Sequence, residues 1–176
     1  MTFPTRIRYA LRLLAYLAIQ EPGRRVPVSG IAVAENVSVK YLEQIVGALR
    51  PLKALRSLRG ARGGYVLVKD PKDISISDIF ECLGGMAYPV PCLENTANCC
   101  QVGSCATRPF WLKLDVHMRG FLQEMTLADI VADAPRAAID RIAGNAGSIG
   151  SDEALLPRYE KASDSFPAAC RVRKRT

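Results

Sequence analysis

The chain has 176 residues, 49% of them hydrophobic, and a formal charge of +7. That is enough apolar material for one core, while the length leaves little room for a second full domain. The charge is uneven: residues 1–72 hold 13 Lys/Arg against 4 Asp/Glu, and residues 73–176 hold 11 against 13. A basic half points to a polyanionic partner, because charge carried for solubility alone would be spread more evenly. No apolar run approaches the roughly 18–20 residues that span a bilayer. Arg6, Arg8 and Arg12 ahead of Leu13–Ile19 imitate a signal peptide. Gln20-Glu21-Pro22 offers no small-residue cleavage site, however, so a cytoplasmic protein with no membrane partner is expected.

Ile7, Leu11, Leu14, Leu17 and Ala18 recur at helical spacing and predict a first helix over 7–21, stopped by Pro22-Gly23. A short helix over 27–35 turns Ile31 and Ala32 inward. Asn36-Val37 then makes a tight connection to a third helix over 39–50, with Ser38 as its cap. Leu42, Ile45, Val46 and Leu49 give that helix its buried stripe, leaving Lys40, Tyr41, Glu43, Gln44 and Arg50 outside. Two helices joined by so short a turn fit a helix-turn-helix.

Two β-prone runs, 55–59 and 65–68, flank Gly60-Ala61-Arg62-Gly63-Gly64 and predict a hairpin. A hairpin directly after a helix-turn-helix is a wing. Asp70-Pro71 ends it, and Ser75 to Asp78 resembles a capping box for a helix through Leu83, closed by Gly84-Gly85. Residues 86–108 show little periodicity and carry four cysteines. A longer helix over 109–125 bears Phe110, Trp111, Leu114, Met118, Phe121, Leu122 and Met125, more apolar surface than one side of a small domain needs. Thr126 and Asp129 cap a last short helix. Beyond Pro135 the sequence loosens; 144–150 reads as a linker and Arg171-Val172-Arg173-Lys174-Arg175 as a disordered basic tail. The fold class is mainly α with a small β-hairpin, a winged helix-turn-helix.

In such a fold the second helix of the motif enters the major groove with its N-terminal residues at the base edges. Those residues are Ser38, Lys40, Tyr41, Glu43 and Gln44. Gln pairs bidentately with adenine, Glu accepts from cytosine N4, and Lys suits guanine or a phosphate. Arg59 and Arg62 on the wing suit the adjacent minor groove or its phosphates. Tyr41 is equally suited to packing on the first helix, and Glu43 to serving as a surface charge.

The segments Arg8-Tyr9-Ala10-Leu11-Arg12, Ser38-Val39-Lys40-Tyr41-Leu42-Glu43-Gln44 and Arg59-Gly60-Ala61-Arg62-Gly63-Gly64-Tyr65 resemble the Rrf2 family of bacterial winged-helix regulators, of the IscR/NsrR/RirA type, from about residue 5 to 132. The resemblance implies a homodimer on a palindromic double-stranded DNA operator, with the long helix packing against its two-fold mate. On this reading residues 1–84 are the DNA-binding domain and 85–108 the cysteine loop. Residues 109–134 are the dimerisation helix with the short helix after it, and 135–176 a flexible basic tail.

The loop spacing is Cys92-x6-Cys99-Cys100-x4-Cys105. Clustered thiols in a reducing compartment point to a metal or redox site, and thiolates suit iron–sulfur clusters and zinc alike. The paired C-x2-C knuckles usual for zinc are absent, which favours a polyatomic cluster. The resemblance implies three loop cysteines on a two-iron or four-iron cluster, here Cys92, Cys99 and Cys105, with Cys100 as alternative middle ligand or fourth ligand. The fourth ligand departs from the family. Arg108 stands where some relatives place a His, and no acid precedes Glu21 in the first helix. Cys100, Glu94 or an exogenous ligand is left for that place. Cys82 reads as a core residue, Cys170 as irrelevant and His117 as structural.

The expected function is a transcription regulator, a repressor type among the options, sensing iron, redox state or nitric oxide through the cluster. The alternatives are a zinc or thiol switch on the same DNA-binding fold, or an iron–sulfur carrier that reads no DNA. An enzyme is not expected, since no nucleophile–base constellation is present.

Overall fold

The computed structural model describes residues 3–58, 60 and 63–148. Helix α1 (Thr5–Ile19) is the central element, with Ile7, Ala10, Leu13, Leu14, Tyr16 and Leu17 all buried. Helices α2 (Val28–Glu35) and α3 (Val39–Ala48) pack on it. Their connection is tight because Asn36 adopts φ 51°, the left-handed region in which Asn is the most tolerant side chain after Gly. Ser38 caps α3 by accepting from the Tyr41 amide at 3.2 Å. The third helix ends earlier than its periodicity predicts. Pro51 lies in a 3-10 turn over Arg50–Leu52, and the residue before a proline is poorly suited to helix.

Strands β1 (Leu55–Leu58) and β2 (Gly64–Leu67) form the antiparallel hairpin in the register Leu55↔Leu67 to Leu58↔Gly64. The hairpin is fastened to the helix-turn-helix by a bridge between Val26 and Tyr65, with N–O distances of 2.9 and 2.8 Å in the two directions. Gly64 makes this approach possible, since a Cβ there would lie 2.4 Å from the Val26 carbonyl oxygen.

Helix α4 (Ile76–Cys82) is capped by Ser75, which accepts from the Asp78 amide at 3.0 Å. It ends at Gly84 and Gly85, both with positive φ. The cysteine segment is more ordered than its lack of periodicity predicts: it holds a helical turn, α5 (Pro91–Glu94), and a 3-10 turn over Thr96–Asn98. The long helix α6 (Arg108–Glu124) and α7 (Leu127–Ala132) follow. Thr126 and Asp129 make a reciprocal capping box.

The expectation that the chain loosens directly after Pro135 needs correction. Residues Arg136–Ser148 form α8, and Ile142 is buried among α1 and α2. The cause is a tertiary partner that no local pattern shows. Glu35, 3% exposed, is paired with Arg12 of α1 and, at 3.2 Å, with Arg141 of α8. Arg141 also donates to the Ala34 carbonyl at 2.8 Å. The remainder of the basic tail, with Cys170, lies outside the described residues.

Candidate DNA interface and cysteine loop

The N-terminal face of α3 is presented to solvent. Ser38, Lys40, Glu43 and Gln44 are all exposed, because Leu42 and Ile45 take the inward positions of the same turns. Tyr41 is half-buried, its ring edge-on to Tyr9 at 5.8 Å. Arg12 and Arg8 stack over the same Tyr9 ring at 5.4 and 6.0 Å. Two cations of α1 are thereby held beside the reading helix, an arrangement that α1's own pattern did not show.

Glu43 faces the wing. With Arg50, Leu55, Ser57 and Tyr65 it lines a cleft of about 420 Å³ between α3 and the hairpin. Burial raises the Tyr65 hydroxyl pKa, and the Glu43 carboxylate raises it further while Arg50 opposes. Arg59 and Arg62 lie outside the described residues. The strands on either side of them are tied by the Val26–Tyr65 bridge to the segment just before α2.

Cys92, Cys99 and Cys105 are half-buried and Cys100 is exposed. Among the described residues no group of three His, Cys, Asp or Glu side chains is gathered as a metal-holding set. Short-range bonds shape the segment, such as the Asn98 side-chain amide donating to the Pro91 carbonyl at 3.2 Å. Cys105 Sγ lies 3.4 Å from Thr107 Oγ1. That contact, reinforced by the Thr107 amide, holds the thiol below its ordinary pKa. The donor set fits an iron–sulfur group in kind, namely four thiols on one segment with one predisposed to the thiolate form that ligates metals.

The other candidates behave as core or helix residues. Cys82 packs against the core and burial raises its pKa. His117 Nδ1 meets the Lys113 carbonyl at 2.8 Å within α6.

Helix α6 has an inverted pattern. Its buried residue is Asp115, whereas Phe110, Leu112, Val116 and Phe121 are 41–66% exposed. Asp115 pairs with Arg119 at 2.8 Å. Arg119 lies 4.6 Å from the Tyr88 ring centre, linking α6 to the base of the cysteine segment. Beside this helix runs an apolar groove of about 490 Å³, with Phe3, Leu11, Phe80, Met118 and Phe121 among its walls.

An exposed, capped reading helix next to a hairpin pinned to the same motif defines a winged-helix DNA-binding protein. Residues 3–133 match the family described as "Rrf2: Iron-dependent Transcriptional regulator". The chain belongs to the Rrf2 family, whose members are transcription regulators and not enzymes. It is 36% identical over 134 residues to protein Rrf2 of Nitratidesulfovibrio vulgaris, covering 76% of this chain and 89% of that one. The structure of CymR, the global cysteine regulator of B. subtilis, superposes with a TM-score of 0.65 at 30% identity, covering 77% of this chain and 99% of that one. That of T. potens IscR gives 0.59 at 29% identity, covering 78% and 90%. Among the described residues no helix is long and apolar enough to cross a membrane.

Proposed function

We propose that this regulator acts as a cytoplasmic homodimer on a palindromic operator, and that its DNA affinity follows the state of the cysteine loop. Ser38, Lys40, Glu43 and Gln44 read base edges in each half-site, Tyr41 holds the reading helix on α1, and Arg59 and Arg62 of the wing reach the neighbouring groove. The observation that carries this reading is the joint exposure of the α3 face beside the wing and of the apolar face of α6. The first suits the major groove, and the second suits burial against a two-fold copy of itself.

Cys92, Cys99 and Cys105, with Cys100 as alternative or fourth ligand, are the residues to hold a two-iron or four-iron cluster. When bound, the group supplies sensitivity to iron supply, oxidants or nitric oxide. The chain's own part is to relay the loop's state. The Arg119–Tyr88 and Arg119–Asp115 contacts join the base of the segment to α6, so that a change there biases the spacing of the two reading helices. The test is the visible spectrum of anaerobically purified protein with iron and sulfide assayed together, followed by DNA binding with and without the bound iron. Stoichiometric iron and sulfide and altered DNA affinity support the reading.

The lowered Cys105 pKa favours a second reading, a thiol switch on the same fold. A protein without iron or sulfide whose DNA affinity changes reversibly with oxidant and reductant selects it.

A further inference from the structure

The cleft between α3 and the hairpin is built from residues that the base-reading set leaves out. Ser57 stands opposite Tyr65 in the hairpin register, so their side chains share one face, the one turned to α3. The facing wall is α3 with the turn after it, where Glu43, Gly47 and Arg50 follow one another at helical spacing. The space between the walls is about 420 Å³. Its shape is fixed, because the Val26–Tyr65 bridge and the close approach at Gly64 hold the hairpin to the segment before α2.

Gly47 has no reason within the chain to be glycine. It is not among the residues with positive φ, and a Cβ there would meet no atom within 4 Å. A glycine inside a helix is also less stable than an alanine. A bare patch of helix that costs stability and serves no internal packing fits a body that comes close from outside. The groups around it are suited to an anion. Arg50 is exposed and forms no ion pair among the described residues. Ser57 presents an exposed hydroxyl. Burial raises the Tyr65 pKa, so its hydroxyl remains a hydrogen-bond donor. Glu43 is the one acid of the cleft. It lies seven residues from Arg50, roughly 10 Å along the helix, so the two ends of the cleft have opposite charge.

The two grooves of a duplex are separated by a sugar–phosphate strand. A protein with a helix in the major groove and a wing in the next groove straddles that strand. Resting on the DNA-binding reading above, we infer that the cleft seats one sugar–phosphate strand of the duplex, with Arg50, Ser57 and Tyr65 holding phosphate oxygens and Gly47 leaving room for the backbone against α3. Glu43 repels phosphate from its own end, which leaves that end to the bases. These contacts carry no sequence information; they set how deeply the reading helix sits.

The experiment uses the duplex of about three helical turns that the full parent chain enriches from a random-sequence pool. Gly47→Leu favours the helix and fills the cleft. It is expected to melt at or above the parent temperature while its affinity for that duplex falls by about fivefold or more. Arg50→Ala removes one cation from a phosphate, and the slope of log affinity against log salt is expected to fall by about 0.9 per chain. Both results together support the inference. A stably folded Gly47→Leu chain with a smaller loss of affinity overturns it, and so does an Arg50→Ala slope that falls by less than half the expected amount. Should Gly47→Leu melt below the parent, Arg50→Ala decides alone. A parent chain that enriches no duplex refutes the DNA-binding reading itself, an outcome distinct from the others.

Discussion

Glu35 offers the sharpest test of the energetics. Its side chain is 3% exposed between Arg12 and Arg141, whose own side chains are 49% and 46% exposed. The two sides of the interaction are therefore unequal. Replacing both arginines, Arg12→Met with Arg141→Met, keeps most of their apolar stems and removes both of the cations paired with the buried carboxylate. That change costs about 3–5 kcal/mol, against a total stability of about 5–15 kcal/mol. Glu35→Met instead leaves two half-exposed guanidinium groups that rehydrate, and the change stays within about 1 kcal/mol. With a urea slope of about 1–3 kcal/mol per molar, the double variant's midpoint falls by at least about 1 M and that of Glu35→Met by much less. Urea unfolding followed by circular dichroism measures both. A double variant within about 1 kcal/mol of the parent, or a Glu35→Met chain less stable than the double variant, refutes the account of a desolvated carboxylate held by two cations.

Three further outcomes rest on individual side chains. Gly64→Ala drives a Cβ into the Val26 carbonyl. It is expected to cost about 1–3 kcal/mol and to weaken DNA binding by displacing the wing, which paired melting and gel-shift measurements check. Val116→Glu puts a charge on a residue that is 66% exposed on α6. Sedimentation is expected to show a folded monomer, and an undiminished dimer would remove α6 from the interface. Thr107→Val removes the largest cause of the lowered Cys105 pKa. Below its midpoint a thiol is mostly protonated and unreactive. The variant's alkylation midpoint therefore moves to higher pH and its rate at neutral pH falls, measured on a chain whose other cysteines are Ser.

The reading helix, the wing and the capping residues were legible because each is written locally. Ser38, Ser75 and Thr126 announce helix starts by side-chain geometry, and the Leu42/Ile45 stripe assigns the faces of α3. The glycines at 60–64 mark the hairpin, while the reason Gly64 must be Gly belongs to Val26, which is 38 residues away. The surplus apolar surface of α6 was also visible, since exposed Phe and Val on a helix contradict its amphipathic pattern.

What the sequence by itself determined, then, is the winged-helix class, the outward side of α3 and the clustering of thiols, all of them properties of neighbours along the chain. Tertiary structure alone decided that Tyr41 packs on Tyr9 between α1 and α3, that Arg119 ties α6 to Tyr88, and that residues 136–148 continue as a docked helix. The physical reason is the same in each case. A buried carboxylate such as Glu35, or a ring face such as Tyr9, gains its stabilisation from cations and edges distant in sequence. Periodicity records only which face a residue occupies and never what meets it there.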